Sequence, residues 1–81
     1  MTSRIDNTVK MQEVNSSTIS SIGYDDFMNN LRVRFKNGSL YDYVNVPFVE
    51  FESLVNAESV GKYFASAIKN KFEYIRIGWF D

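Results

Sequence analysis

Arg32, Arg34, Tyr41 and Tyr43 are the side chains of this sequence with the most suggestive chemistry. A guanidinium grips a phosphate or carboxylate through two parallel hydrogen bonds. A phenol ring stacks on the face of a base, which is worth about 1–3 kcal/mol per base whatever the sequence. Two of each, side by side on a sheet, make a platform for unpaired nucleotides. Lys36 and Lys62 are candidates for further phosphate contacts. The same residues have a structural use, because cross-strand Arg–Tyr pairs stabilise a hairpin through cation–π contact.

Other kinds of chemistry lack their parts. There is no histidine and no cysteine, so the commonest general base, thiolate metal ligands and disulfides are all missing. Ser16, Ser17, Ser20 and Ser21 have no such base to activate them, and the serine-rich stretch carries no Ser-x-x-Lys arrangement. Asp25-Asp26 offers two oxygen ligands for a hard cation, but without a further spaced set it reads as a turn. No glycine-rich loop is present to cradle a phosphate. A catalytic site, a metal and a cofactor are therefore not expected.

The elements that must position the four residues are legible. Leu31, Val33 and Phe35 alternate with Arg32, Arg34 and Lys36, the period of a half-buried strand. Asn37-Gly38 follows and suits a two-residue type I′ turn. That turn predicts Arg34 opposite Tyr41, Arg32 opposite Tyr43, Phe35 opposite Leu40 and Leu31 opposite Val44. One face of the hairpin is then apolar, and the other carries both arginines and both tyrosines. Asp42 conflicts with this register, because it falls on the apolar face opposite Val33, where an unpaired carboxylate is costly. An open sheet edge, a partner such as Lys71 or Arg76, or a bulge in the turn would each resolve the conflict.

Around the hairpin, Ser16 to Asp25 reads as a preceding strand, and Pro47 ends the strand that follows the turn. Phe48, Phe51, Leu54 and Val55 form an amphipathic stripe, with Glu50 and Glu52 near the helix N-terminus. Ser59 is a good N-cap for a second helix, with Val60, Tyr63, Phe64, Ala67 and Ile68 on its apolar face. Gly61, unfavourable in a helix by about 1 kcal/mol, marks a close approach of the helix to the sheet. Glu73, Ile75 and Ile77 alternate with Tyr74 and Arg76 as in a short last strand, although a helix end with an aromatic tail is the alternative. The fold class is α+β: an antiparallel meander of three or four strands with two short helices on one face. Residues 1–13 read as a mobile arm, 14–77 as one domain and 78–81 as an aromatic tail.

With 81 residues there is room for one small core, worth about 3–5 kcal/mol. Nine basic and ten acidic residues give a net charge of −1, which argues against loose, charge-driven nucleic-acid binding and leaves room for a local basic stripe. No run approaches the ~18 apolar residues of a membrane span, and the N-terminus has no signal-peptide core. A cytoplasmic location in a bacterial or phage-infected bacterial cell is expected, with no membrane partner. Seven Phe, five Tyr and one Trp are many rings for so small a core. Tyr74, Trp79 and Phe80, beside Phe72, form either core or an interface for a partner or a second copy.

Several separated motifs in the right order resemble the KTSC domain family, a small module found at the C-terminus of some lysyl-tRNA synthetases and as a stand-alone bacterial or phage protein. The matching motifs are Ser16-Ser17-Thr18-Ile19, Gly23-Tyr24, Tyr41-Asp42-Tyr43 and Ser59-Val60-Gly61-Lys62-Tyr63-Phe64. The resemblance implies RNA binding through the synthetase association, and some small phage proteins similar to it act on host RNA polymerase. The expected function is non-enzymatic binding of single-stranded RNA or a nucleotide-like ligand by Arg32, Arg34, Lys36, Tyr41, Tyr43 and Lys62. The alternatives are a protein-interaction module, such as a phage-encoded modulator of a host protein, and a small homo-oligomer that sequesters a nucleotide signal.

Overall fold

The computed structural model of the chain describes residues 9–79. Residues 1–8 of the expected arm, and Phe80 and Asp81 of the expected tail, lie outside them. The fold is α+β, as the sequence indicates. Five antiparallel strands, β1 (Met11–Glu13), β2 (Ile19–Asp25), β3 (Asn30–Phe35), β4 (Ser39–Tyr43) and β5 (Tyr74–Trp79), pair in chain order. Two short helices, α1 (Phe48–Val55) and α2 (Val60–Tyr63), lie between β4 and β5, and α2 runs on into a π-helical turn over Phe64–Ile68. The sheet is wider than expected at both edges. Met11–Glu13 of the expected arm is a strand, and Gly78 and Trp79 of the expected tail belong to β5.

The hairpin differs from expectation by one residue. Arg32 stands opposite Asp42, Val33 opposite Tyr41, Leu31 opposite Tyr43 and Arg34 opposite Leu40. The cause is the turn. The Gly38 amide donates to the Phe35 carbonyl at 2.9 Å, and Gly38 takes φ 98°. Asn37 keeps a negative φ, since the positive-φ non-glycines among the described residues are Asn29 and Asn45. This is a three-residue loop, a type I turn closed by a left-handed glycine in a G1 bulge. Asn37 Oδ1 locks it, accepting from the Ser39 amide at 2.9 Å and the Ser39 hydroxyl at 2.7 Å. Because side chains alternate, a one-residue slip moves every residue of β4 to the other face. Tyr41 and Tyr43 therefore join Leu31, Val33 and Phe35, while Asp42 joins Arg32.

The helices cover the Leu31–Val33 face. Ile19, Ile22, Leu31, Val33 and Tyr43 pack there with Val46, Leu54, Val60, Phe64 and Ile68. Ile19 and Ile22 are three residues apart, so strict alternation would bury only one of them; a register shift between Ile19 and Ser21 buries both. The Ser59 hydroxyl accepts from the Lys62 amide at 3.2 Å, the expected N-cap, and the Tyr63 hydroxyl ties α2 to α1 by donating to Glu50 at 2.7 Å. None of the described helices is long and apolar enough to cross a membrane.

On the opposite face, a Cβ added at Gly23 would lie 2.5 Å from the Lys10 carbonyl oxygen and 2.8 Å from Val9 Cγ1. The strand leading into β1 therefore crosses directly over Gly23, and only glycine leaves it room.

Candidate functional site

The aromatic side chains of β4 and β5 floor an open cleft. Tyr41, Tyr43 and Tyr74 come from the two strands; Phe35 and Phe64 close the ring cluster from β3 and the π-helical turn. Ring centroids lie 5.2 Å apart for Tyr41–Tyr74, 5.4 Å for Tyr43–Tyr74 and 5.4 Å for Tyr43–Phe64. Tyr43 is buried, and its phenol is pushed up to about 12 by burial, with Tyr74 and Tyr41 adding to the effect. Tyr74 is 55 % exposed, and Tyr41 is half-buried. The cluster is thus anchored at Tyr43 and presents ring surface at Tyr41 and Tyr74.

The walls come from three separate stretches. Asn15 to Thr18 form one, the β3–β4 turn with Lys36 and Asn37 a second, and Glu58 to Asn70 a third. Together they enclose about 1070 Å³. The Ser16 hydroxyl shapes the first wall by accepting from the Thr18 and Ile19 amides, both at 3.2 Å. Gly61 lets α2 approach it, because an added Cβ would stand 3.3 Å from that hydroxyl. The close approach at Gly61 is therefore to the loop before β2, and not to the sheet as expected. Lys36, Lys62 and Lys69 line the cleft, with Glu58 as the one carboxylate among its lining residues. The π-helical turn carries Phe64 and Ala65 into the same wall, with Lys69 just beyond it.

The expected site residues are therefore partly brought together and partly separated. Tyr41, Tyr43, Lys36 and Lys62 share the cleft. Arg32 and Arg34 lie on the other side of the sheet, because the G1 bulge removes them from the tyrosine face. Arg32 is buried against Asp42, with Nε 2.8 Å from Oδ1 and the second guanidinium nitrogen 3.0 Å from Oδ2. This two-point grip resolves the Asp42 conflict through a partner other than Lys71 or Arg76. Tyr74 lies with the tyrosines of β4, while Phe80 and the Trp79 side chain fall outside the described residues.

Sequence reasoning missed Lys69, Phe35 and Phe64 as lining residues. A signal was available. The motifs Ser16-Ser17-Thr18, Tyr41-x-Tyr43 and Ser59 to Phe64 are far apart in sequence yet all contribute to this one cleft.

Comparison with known proteins agrees with the same segments. A stand-alone protein from Tsukamurella paurometabola is 37% identical over 67 residues, covering 83% of this chain and all of its own length. A lysine–tRNA ligase from Trichormus variabilis is 41% identical over 58 residues, 72% of this chain and 10% of the ligase. The crystal structure of a KTSC domain protein from Yersinia pestis superposes with a TM-score of 0.83 at 37% identity, covering 86% of this chain and 99% of that one. The KTSC domain model itself matches residues 15–72, which hold β2 to β4, both helices and most of the cleft lining, so the chain belongs to the KTSC domain family.

Proposed function

We propose that this chain is a non-enzymatic binding module whose cleft takes single-stranded RNA or a nucleotide-like piece of it. Bases stack on Tyr41 and Tyr74, and phosphates meet Lys36, Lys62 and Lys69. The observation that carries this reading is the juxtaposition of a half-exposed tyrosine floor with a three-lysine rim in one open cleft. The match to part of a lysine–tRNA ligase, an enzyme named for an RNA substrate, supports RNA among ligands of this chemistry. Arg32 is committed to Asp42 and is not part of the proposed site.

The test is a titration of a labelled single-stranded RNA at two salt concentrations. Three phosphate contacts predict a log–log salt slope of about −2. A Tyr41→Ala/Tyr74→Ala variant, losing two stacking platforms, is expected to bind at least about 30-fold more weakly. Tyr43 is unsuitable for this purpose because its removal would hollow the core. Unchanged affinity in the variant, or no RNA binding by micromolar protein, would overturn the proposal.

A further inference from the structure

At the end of the sheet away from the lysine rim, the chain exposes four large apolar side chains. Phe27 is 88 % exposed, Met28 56 %, Phe48 50 % and Val49 59 %. Phe27 and Met28 sit in the β2–β3 turn, and Phe48 and Val49 in the first turn of α1. The two pairs flank one seam. The Val46 amide donates to the Asn29 carbonyl at 2.9 Å, and the Tyr24 hydroxyl donates to the Val46 carbonyl at 2.6 Å, with Asn29 Oδ1 3.2 Å from the same hydroxyl. The Tyr24 ring then packs edge-on against Phe48, with centroids 5.4 Å apart. The seam is held by hydrogen bonds and by Tyr24, so the fold makes little use of the Phe27 ring. Exposed apolar groups gathered in one place mark an interaction surface.

The border of this surface is acidic. Asp26 is exposed beside Phe27, and Glu52 is exposed one helical turn beyond Phe48 and Val49. Asp25 Oδ1 accepts from the Phe27 and Met28 amides at 3.0 and 3.2 Å, which fixes a carboxylate under the turn. The Tyr24 phenol, raised first by burial, is raised further by Asp26 and Asp25, consistent with a negative local field.

This charge pattern discriminates among occupants. A phosphate-bearing lipid surface and the same patch on a second copy would both set negative charge against Asp26 and Glu52. We infer that this surface docks a protein segment whose apolar side chains are bordered by lysine or arginine. This surface is separate from the cleft and does not depend on RNA binding there.

The probe is a synthetic amphipathic leucine–lysine peptide, with a leucine–glutamate peptide of equal length as control, titrated into the isotope-labelled full chain and followed by amide chemical shifts. The lysine peptide should shift residues of the β2–β3 turn and the start of α1, and the glutamate peptide should not. Phe27→Ser, at a position too exposed to matter for folding, should weaken binding roughly fivefold or more. An Asp26→Lys/Glu52→Lys variant should reverse the preference between the peptides. Lack of binding, shifts confined to the cleft, or equal response to both peptides would overturn the inference. So would Phe27-dependent binding to phosphatidylglycerol vesicles, which would assign the surface to lipid, or Phe27-dependent oligomerisation in sedimentation, which would assign it to a second copy.

Discussion

The two faces of the β3–β4 hairpin solve opposite problems with adjacent residues. On the helix side, Tyr41 and Tyr43 join a run of rings that is dry at Tyr43 and open at Tyr74. On the other side, Arg32 and Asp42 form a buried pair whose side chains are 6 % and 10 % exposed. The first face keeps ring surface available to a ligand; the second uses the strongest charge chemistry of the chain on the chain itself. A single residue in the turn decides which side chains do which.

That contrast can be tested most severely at the charged face. Asp42→Ala leaves a buried guanidinium without its carboxylate and should cost about 3–5 kcal/mol, comparable to the whole stability of so small a core, so the melting transition should be largely lost. Arg32→Met/Asp42→Leu should recover most of it, since an apolar pair of similar volume removes both desolvated charges. If the double variant melts no higher than the single, the pair contributes more than charge balance.

A smaller effect is expected at the turn. Gly38→Ala forces a side chain into φ 98° and should cost about 1–2 kcal/mol, measurable as a shift of the denaturant midpoint. Gly38→Asn should lose less. A neutral Gly38→Ala would mean that the turn relaxes to a form in which residue 38 no longer needs a left-handed backbone, since the two-residue type I′ turn would keep the same demand on it.

The mildest test concerns the aromatic face. An unfolded tyrosine ionises near pH 10, whereas Tyr43 in the fold stays protonated to about 12. Below pH 10 both states are neutral and the stability is fully present. Between pH 10 and about 12 the unfolded state alone releases the proton, so stability falls as pH rises. Tyr43→Phe should reduce this alkaline loss in melts taken across that range. Tyr24 and Tyr63 are raised as well, so the slope should diminish without vanishing.

Much of this architecture is readable in the residues. Pro47 and Ser59 mark the two helix starts, and the alternation after Glu73 marks β5. The site was half legible. Asn37-Gly38 announces a tight turn, but the same dipeptide serves two- and three-residue loops, and these differ by one step of register. Asp42 held the missing information. A carboxylate landing on an apolar face is the signature of a slipped pairing, and moving it by one residue places it on Arg32. β1 was not legible because three polar-flanked residues at a sheet edge carry too few alternations to register as a strand. Lys69 follows the apolar face of the second helix with no pattern of its own, and only the π-helical turn shows that this end overlooks the tyrosines.

The pairing order of the sheet also sets how far along the chain the cleft is gathered from. β1 to β4 each pair with the strand next in the chain, but β5 reaches β4 only after both helices intervene. β5 therefore closes a longer loop than the other strands do, a cost that grows only slowly with loop length. Tyr74 comes with it, while Ile22, Leu31, Val33 and Leu54 are packed beneath the helices. The cleft thus joins a local hairpin to a strand that arrives from beyond the helices, and an occupant that bridges the two should slow amide exchange along β5.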